Sequence, residues 1–576
     1  MPRKFVVVLL AAIALATYWT GLHAPFVWDD DNAITTNRSI QQITTSLDPP
    51  LETPLSGRPV ASLSFALNYA FGGLETTGYH AVNLAILVAS ALLLFGIVRR
   101  TLSRQSGGSA AISHDAVAFA ASLLWLVHPL LSETIDYTTQ RTESLMGLFF
   151  LLTLYAAIRA RRTTTKKHRS SASSTWTVMS VVACAAGMAT KESMVVAPIA
   201  VALYDRVFEF DSIGEALNER RGLYAGLAAT WVELSVIMWR WPRSTVGGVS
   251  VSPLTYALNQ AQMIGRYLWL SVWPDRLVVD YGLPQQLHIT DVVPQIAAIA
   301  ALIALTIVAL FRWPALGFLG AMFFLTLAPT SSVVPISSEV GAERRMYLPL
   351  AALAVLVVVL VARTLPRAKA GRNLRLAATV VLALVVAALA IRTVLRNRDY
   401  DNPLTLWKSV VDVRPHGRAR FAYANELLAA RRVEEATAQL RLAVVDTPDA
   451  RAGLGTALLL QGQLEEGIEL LQTFVDANPS LPNRLPARAL LGQAHQALAE
   501  RALTQHDAAR AVIEARKAIE FDANNAGAHN DLGAALASQG DLAGAIDEFK
   551  TAVRINPTLQ SALNNLAHAT EMTQAR

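Results

Sequence analysis

The sequence predicts an all-α protein in two parts, a polytopic membrane domain over residues 1–398 and a helical-repeat solenoid over 417–576, with 399–416 as linker. Three observations carry this. Hydrophobic residues make up 53% of the 576 and charged residues only 16%, at a mean hydropathy of +0.35. An average soluble domain carries about 25% charge, so much of this chain is expected to face lipid. Apolar stretches of spanning length recur up to about residue 395, and beyond Arg398 the pattern turns amphipathic. Finally, the last part of the chain repeats its own pattern of small and apolar residues.

The first element, apolar from Phe5 to Trp19 behind Met1-Pro2-Arg3-Lys4, has the layout of a signal peptide. Further apolar segments follow it, so a retained signal anchor is expected, N-terminus inside. Candidate spans are 5–22, 79–98, 116–130, 144–160, 174–190, 192–208, 222–240, 256–273, 291–311, 314–330, 346–362 and 376–392. Between them basic residues gather in short loops: Arg99, Arg100, Arg104; Arg159, Arg161, Arg162, Lys166, Lys167, Arg169; Arg363, Arg367, Lys369, Arg372, Arg375. Short basic loops lie on the cytoplasmic side. An internal 363–375 loop sends the last span outward, which requires about eleven true spans. One candidate must then fail, either 222–240, with Glu233, or 256–273, with Asn259, Gln260, Gln262 and Arg266. In the first external loop, Leu63, Leu67, Ala70 and Phe71 recur at helical spacing and predict a helix lying along the membrane surface.

In the tail, Leu532-Gly533, Leu536, Gly540, Ala545, Phe549, Ala552 and Pro557 fit the roughly 34-residue tetratricopeptide pattern. Ala436, Leu440, Ala443 and Pro448 mark an earlier unit; Leu454-Gly455, Gly462, Leu471 and Pro479 a second; Leu491-Gly492, Ala511, Ala515 and Ala518 a third. About four repeats and a capping helix at 561–574 are expected. Such arrays hold partner proteins on a concave face. The scattered His495, His506, His529 and His568 are read as structural or solvated.

The formal net charge of +6 does not point to nucleic acid, since membrane topology accounts for where the basic residues fall. The single cysteine, Cys184, excludes an internal disulfide or a cysteine metal cluster. No histidine–carboxylate spacing resembles a metal site, and neither metal nor cofactor is expected.

Ionisable residues beside membrane segments are costly and mark function. Five groups qualify: Asp29-Asp30-Asp31; Arg58, with Tyr79-His80 and Asn83; His128-Pro129 with Glu133, Arg141 and Glu143; Lys191-Glu192; and Glu339, Glu343, Arg344, Arg345 and Tyr347. With eleven spans all five groups are expected on the external side. Acids and cations on one membrane face suit sugar transfer from a lipid-linked phosphate. Cations hold the phosphate, a carboxylate takes the acceptor proton, and negative charge favours the oxocarbenium-like transition state.

Several stretches together resemble the transmembrane and tetratricopeptide repeat-containing proteins: Phe26-Val27-Trp28-Asp29-Asp30; Arg58-Pro59 with Leu63 to Tyr69; Gly78-Tyr79-His80; His128-Pro129 through Arg141-Thr142-Glu143; Lys191-Glu192; and Ala342-Glu343-Arg344 through Tyr347-Leu348-Pro349. That family resembles protein O-mannosyltransferases and the C-type glycosyltransferases. The resemblance implies an inverting transferase that uses a polyprenyl-phosphate sugar, mannose first, and a protein hydroxyl acceptor. It makes Asp29 the base and Asp30 its neighbour, with Arg58, Arg141, Lys191 and Arg344 on the phosphate. His128, Glu143, Glu192, Glu343 and Tyr347 are expected to join them in binding the substrate or its phosphate. An inner-membrane enzyme with external repeats is implied, periplasmic with undecaprenyl phosphate in a bacterium, luminal in a eukaryote. The chain departs from the family at Gln140-Arg141-Thr142-Glu143 and in its short repeat array. The competing reading is a non-enzymatic membrane scaffold for the repeats.

Overall fold

The computed structural model describes residues 3–105, 113–160, 171–242, 251–332, 334–365, 372–477 and 484–574. Most of the 159–169 basic cluster, Arg367, Lys369 and Pro479 fall outside them. Every regular element among the described residues is helical, and the chain divides into two compact units, 1–413 and 414–576.

The principal helices of the first unit are α1 (Arg3–Tyr18), α2 (Pro59–Gly72), α3 (Thr76–Gln105), α4 (His114–Leu126), α5 (Ser132–Asp136), α6 (Arg141–Arg159), α7 (Ser171–Met188) and α8 (Ala197–Phe208). They continue as α9 (Arg221–Arg240), α10 (Pro253–Val272), α11 (Val293–Arg312), α12 (Pro314–Leu327), α13 (Tyr347–Thr364), α14 (Arg372–Asn397) and α15 (Pro403–Val413). Six of the described helices (α3, α6, α9, α11, α13 and α14) are long and apolar enough to cross a membrane. A seventh span forms if α4 and the Pro129–Asp136 segment, bent by 58°, count as one. Only 6% of the apolar window of α11 is buried, and none of that of α14. Helices whose Leu, Ile and Val side chains have no protein cover are built for lipid.

The expected eleven spans are not reached by length, because α1, α7 and α12 are apolar but short. Candidate 192–208 is interrupted: a tight helical turn, Glu192–Val196, precedes the twelve residues of α8. Of the two suspects, α9 has spanning character despite Glu233, whereas α10 does not. The polar residues of α10 hold loops. The Asn259 side-chain amide donates to the Gln285 carbonyl at 2.7 Å, and that of Gln260 to the Val340 carbonyl at 2.8 Å.

The surface helix exists as α2, and the face opposite its apolar stripe, Ala61, Phe65 and Ala66, is buried on Ala33, Ile34, Ile40, Leu55 and Tyr79. Leu67 and Phe71 of the predicted stripe stay exposed. The expected linker 399–416 is largely folded into the first unit: Tyr400, Leu406, Trp407 and Val410 are buried, and α15 is helical to Val413.

The second unit is four helix pairs and a cap: α16 (Gly417–Ala429) with α17 (Val433–Ala443), α18 (Ala450–Leu460) with α19 (Leu464–Ala477), α20 (Arg484–Thr504) with α21 (Ala508–Phe521), α22 (Ala526–Ser538) with α23 (Leu542–Ile555), then α24 (Gln560–Gln574). Each turn inside a pair needs one left-handed residue, supplied by Arg431, Gly462, His506 and Gly540. Close pairing depends on small residues, since a Cβ on Gly533 would lie 2.6 Å from the Phe549 ring. His495 and His529 are not scattered. They hold equivalent positions, bonded to Glu514 and Glu548 of the partner helix at 2.7 and 2.6 Å. Gly533→Val is therefore expected to cost about 1–3 kcal/mol by overpacking against Phe549, read as a lower thermal midpoint of the helical signal.

Candidate active site

The three consecutive acids have three different fates, decided by one turn. Trp28 sits at φ +50°, a left-handed conformation uncommon for a bulky residue. Its ring stacks on Tyr137 at 6.2 Å and meets Trp407 edge-on at 5.1 Å, and this packing sustains the strain. The turn drives Asp30 into the protein, where its carboxylate is fully buried and accepts from the amides of Val27 (3.0 Å), Thr138 (3.3 Å) and Thr139 (2.6 Å) and from the Thr139 hydroxyl (2.5 Å). Burial raises the Asp30 carboxyl to about 7, against the pull of these hydrogen bonds. Asp30 thus staples the first loop to the 137–140 segment. Asp31 is exposed and accepts from the Thr35 hydroxyl at 3.0 Å. Asp29, between them, is half-buried, its amide donating to the Tyr137 hydroxyl at 3.1 Å. The Tyr137 hydroxyl also bonds the Asp29 side chain and lies in the fields of Asp30 and Arg344.

Arg344 continues the site from the segment ahead of α13. Glu133 receives both its backbone amide (2.7 Å) and its guanidinium (2.5 Å), and Glu339 takes the other arm. Glu339 also binds Arg345 at 2.9 Å. Its burial would raise its pKa, but the two arginines hold the carboxyl at about 2. Lys191 pairs with Glu143 at 2.7 Å, both buried. Burial lowers the Lys191 pKa, Glu143 opposes that, and Arg58 and Arg344 lie close enough to add to the lowering. Arg58 reaches Glu192 at 3.7 Å, the most open of these pairs, with 15% and 32% of the side chains exposed. Asp29, Tyr137, Arg344, Glu133, Glu339, Lys191, Glu143, Arg58 and Glu192 thus form one chain of neighbouring charged and polar groups. Four segments far apart in sequence supply it.

Four expected residues lie elsewhere. Arg141 is fully buried as a clamp: Nε donates to Asn83 (2.7 Å), Nη1 to Asn68 (2.6 Å) and the Ser64 carbonyl (3.2 Å), and Nη2 to the Tyr79 carbonyl (2.9 Å), under the Phe65 ring at 4.4 Å. Every guanidinium nitrogen is spent on α2 and α3. His128 caps the turn Pro129–Leu131, its Nδ1 accepting from the Leu130 amide and its Nε2 facing the Ser271 carbonyl, both at 3.2 Å. Glu343 accepts from the Val278 amide (2.6 Å) and the Tyr281 hydroxyl (3.2 Å), with Arg396 3.9 Å away. Tyr347 is buried against Trp125 and Gly147 in the helix packing. Sequence reasoning passed over Tyr137 and Trp407. Neither is charged, and nothing local in sequence ties them to Asp29. Among the described residues, no three His, Cys, Asp or Glu are grouped to hold a metal ion.

Residues 424–482 and 496–559 match the tetratricopeptide repeat family. Curated relatives include the protein O-mannosyl-transferase TMTC2 of Xenopus laevis, 28% identical over 50% of this chain and 36% of its own length. TMTC3 of Mus musculus is 24% identical over 71% and 47%, and TMTC4 of Homo sapiens 26% over 33% and 28%. The chain thus spans between 28% and 47% of the length of these curated relatives. Among solved structures, apo ArnT from Cupriavidus metallidurans aligns over 75% of this chain and 73% of its own at 17% identity, TM-score 0.39. YrrB, a TPR protein, aligns over 28% and 80% at 21% identity, TM-score 0.23. The chain is similar to the TMTC proteins over part of their length, and it is a multi-pass membrane protein with tetratricopeptide repeats.

The geometry separates acids that are buried and fully engaged from the half-buried Asp29. Asp30→Ala strands four donors, and Lys191→Met leaves Glu143 buried and unpaired. Each is expected to cost on the order of 3–5 kcal/mol, read as lost monodisperse protein and a lower melting midpoint. Asp29→Asn is expected to fold as wild type. Lys191→Met with Glu143→Leu should recover most of the loss.

Proposed function

We propose that this TMTC-like chain is an integral-membrane glycosyltransferase that moves a sugar, mannose, from a polyprenyl-phosphate carrier to a protein hydroxyl. The observation that supports the reading is the run of charges from Asp29 to Arg58. It offers one half-buried carboxylate at one end and cations at the other, with the remaining acids of the triplet committed elsewhere. The names of the curated relatives favour the sugar and acceptor assigned.

In this reading Asp29 takes the acceptor proton as its oxygen attacks the anomeric carbon and the carbon–phosphate oxygen bond breaks. The electron pair leaves with the carrier phosphate. Tyr137 and the Trp28 turn fix the orientation of Asp29. Arg344, Lys191 and Arg58 meet the leaving phosphate, whose charge grows as the bond breaks. Each cation starts paired with a carboxylate, so it gains most when that extra charge develops, and such interactions lower the barrier. Arg58 has the loosest partner and is assigned the first contact with the donor. The repeats bind the acceptor protein.

Membranes carrying the full chain and radiolabelled polyprenyl-phosphate mannose test this directly. Asp29→Asn is expected to lose on the order of 10²–10⁴-fold in transfer, whereas Arg58→Gln should raise KM for the donor more than it lowers kcat. Stopping the chain after Val413 should abolish transfer to protein while sparing donor binding. Wild-type transfer by Asp29→Asn refutes the assignment of the base.

A further inference from the structure

An apolar groove lies away from the charged site, among the membrane helices. Side chains of α3 (Leu94, Val98), α6 (Phe150) and α12 (Met322) line it with α8 and a long strip of α13. It takes in about 840 Å³ counted with its open side. Along α13 it runs from Leu348 to Arg363, about 22 Å at the ordinary helical rise. Spanning helices form three of its walls, so what meets its open side is hydrocarbon, and a chain-like apolar ligand fits it.

One end is marked by charge. Arg363 alone among the lining residues is charged, and its side chain is exposed at the end of α13 with no hydrogen bond or ion pair among the described residues. Nearby cations are occupied: Arg104 pairs with Glu209 and donates to the Ile158 carbonyl at 3.1 Å, and Arg100 donates to the Gly96 carbonyl at 3.1 Å beneath the Tyr155 ring. The hydroxyls of Thr101 and Tyr204, bonded to each other at 2.8 Å, give the same end a polar rim. A free cation with a polar rim at the mouth of an apolar groove is the layout of a site for an anionic lipid head.

We infer that this groove binds an anionic phospholipid, its acyl chain lying along α13 and its phosphate against Arg363. The head is placed at the Arg363 end of α13. Arg344, the cation assigned to the donor phosphate, precedes the other end of the same helix. The site therefore stands apart from the transferase reading, and neither needs the other.

The test uses the full chain in phosphatidylcholine nanodiscs with trace lipid carrying a diazirine on the acyl chain, in three arms: phosphatidylglycerol, phosphatidylcholine and a diazirine polyprenyl phosphate. Labelled peptides are mapped by mass spectrometry. Phosphatidylglycerol is expected to label α12 and α13 about fivefold more than phosphatidylcholine, the worth of one interfacial cation. Arg363→Gln should erase that preference and Arg363→Lys should keep it. Met322→Trp, which fills the groove, should remove the label. Melting midpoints show whether each variant is folded, and Arg363, being exposed, is the substitution least able to disturb packing. Equal labelling by the two phospholipids, or a groove labelled by polyprenyl phosphate and not by phosphatidylglycerol, overturns the assignment.

Discussion

The membrane unit depends on one buried carboxylate. Asp30 gathers four donors from two segments more than a hundred residues apart and thereby fixes the first loop against the turn that leads into α6. A buried carboxyl group is tolerated only when it is hydrogen-bonded, so the loop and the turn must form together. With Asp30 inside, the strained backbone of Trp28 becomes affordable, and Asp29 is left at the rim beside Tyr137. Arg141 does the same work one helical turn on, binding α2 and α3 to the start of α6 through a saturated guanidinium. The two residues are built into the same corner, Asp30 lying within the field of Arg141.

The chemistry assigned to the site follows from what this scaffold leaves over. Cations in a low-dielectric protein must be paired, and here they are paired with carboxylates one step away rather than left open. A neutral network of this kind can receive a growing anion by shifting its partners. In the proposed reaction this single arrangement would serve both stability at rest and charge stabilisation during transfer. Tyr137 links the two halves of it, since its hydroxyl touches Asp29 and lies near Arg344.

Much of the architecture was legible in the sequence. Uncovered apolar helices such as α11 and α14 read directly as lipid-facing. The repeats read from Gly533, Gly540 and Phe549, because small residues and left-handed turns are local requirements. Span number was harder. The break before α8 and the buried amides of α10 depend on which loops those helices meet, and composition does not carry that. The site was legible as a set of residue types near membrane ends, but not as roles. Arg141 and Lys191 look alike in sequence, yet one is saturated by neutral acceptors and the other by a single acid. The division of labour between Asp29 and Asp30 rests on a turn at Trp28 that only packing against Tyr137 and Trp407 can hold.

The central claim is that Asp29 acts on the proton and not on the fold or the donor. A single-turnover experiment addresses it most directly. Asp29→Asn protein in nanodiscs is loaded with radiolabelled polyprenyl-phosphate mannose, bound donor is measured, and acceptor is then added. The account predicts donor affinity within about twofold of wild type, which is a difference of less than 1 kcal/mol, and no measurable transfer over many wild-type turnover times. Donor affinity lost along with transfer would make Asp29 a binding or structural residue. Transfer at the wild-type rate would remove it from the reaction altogether.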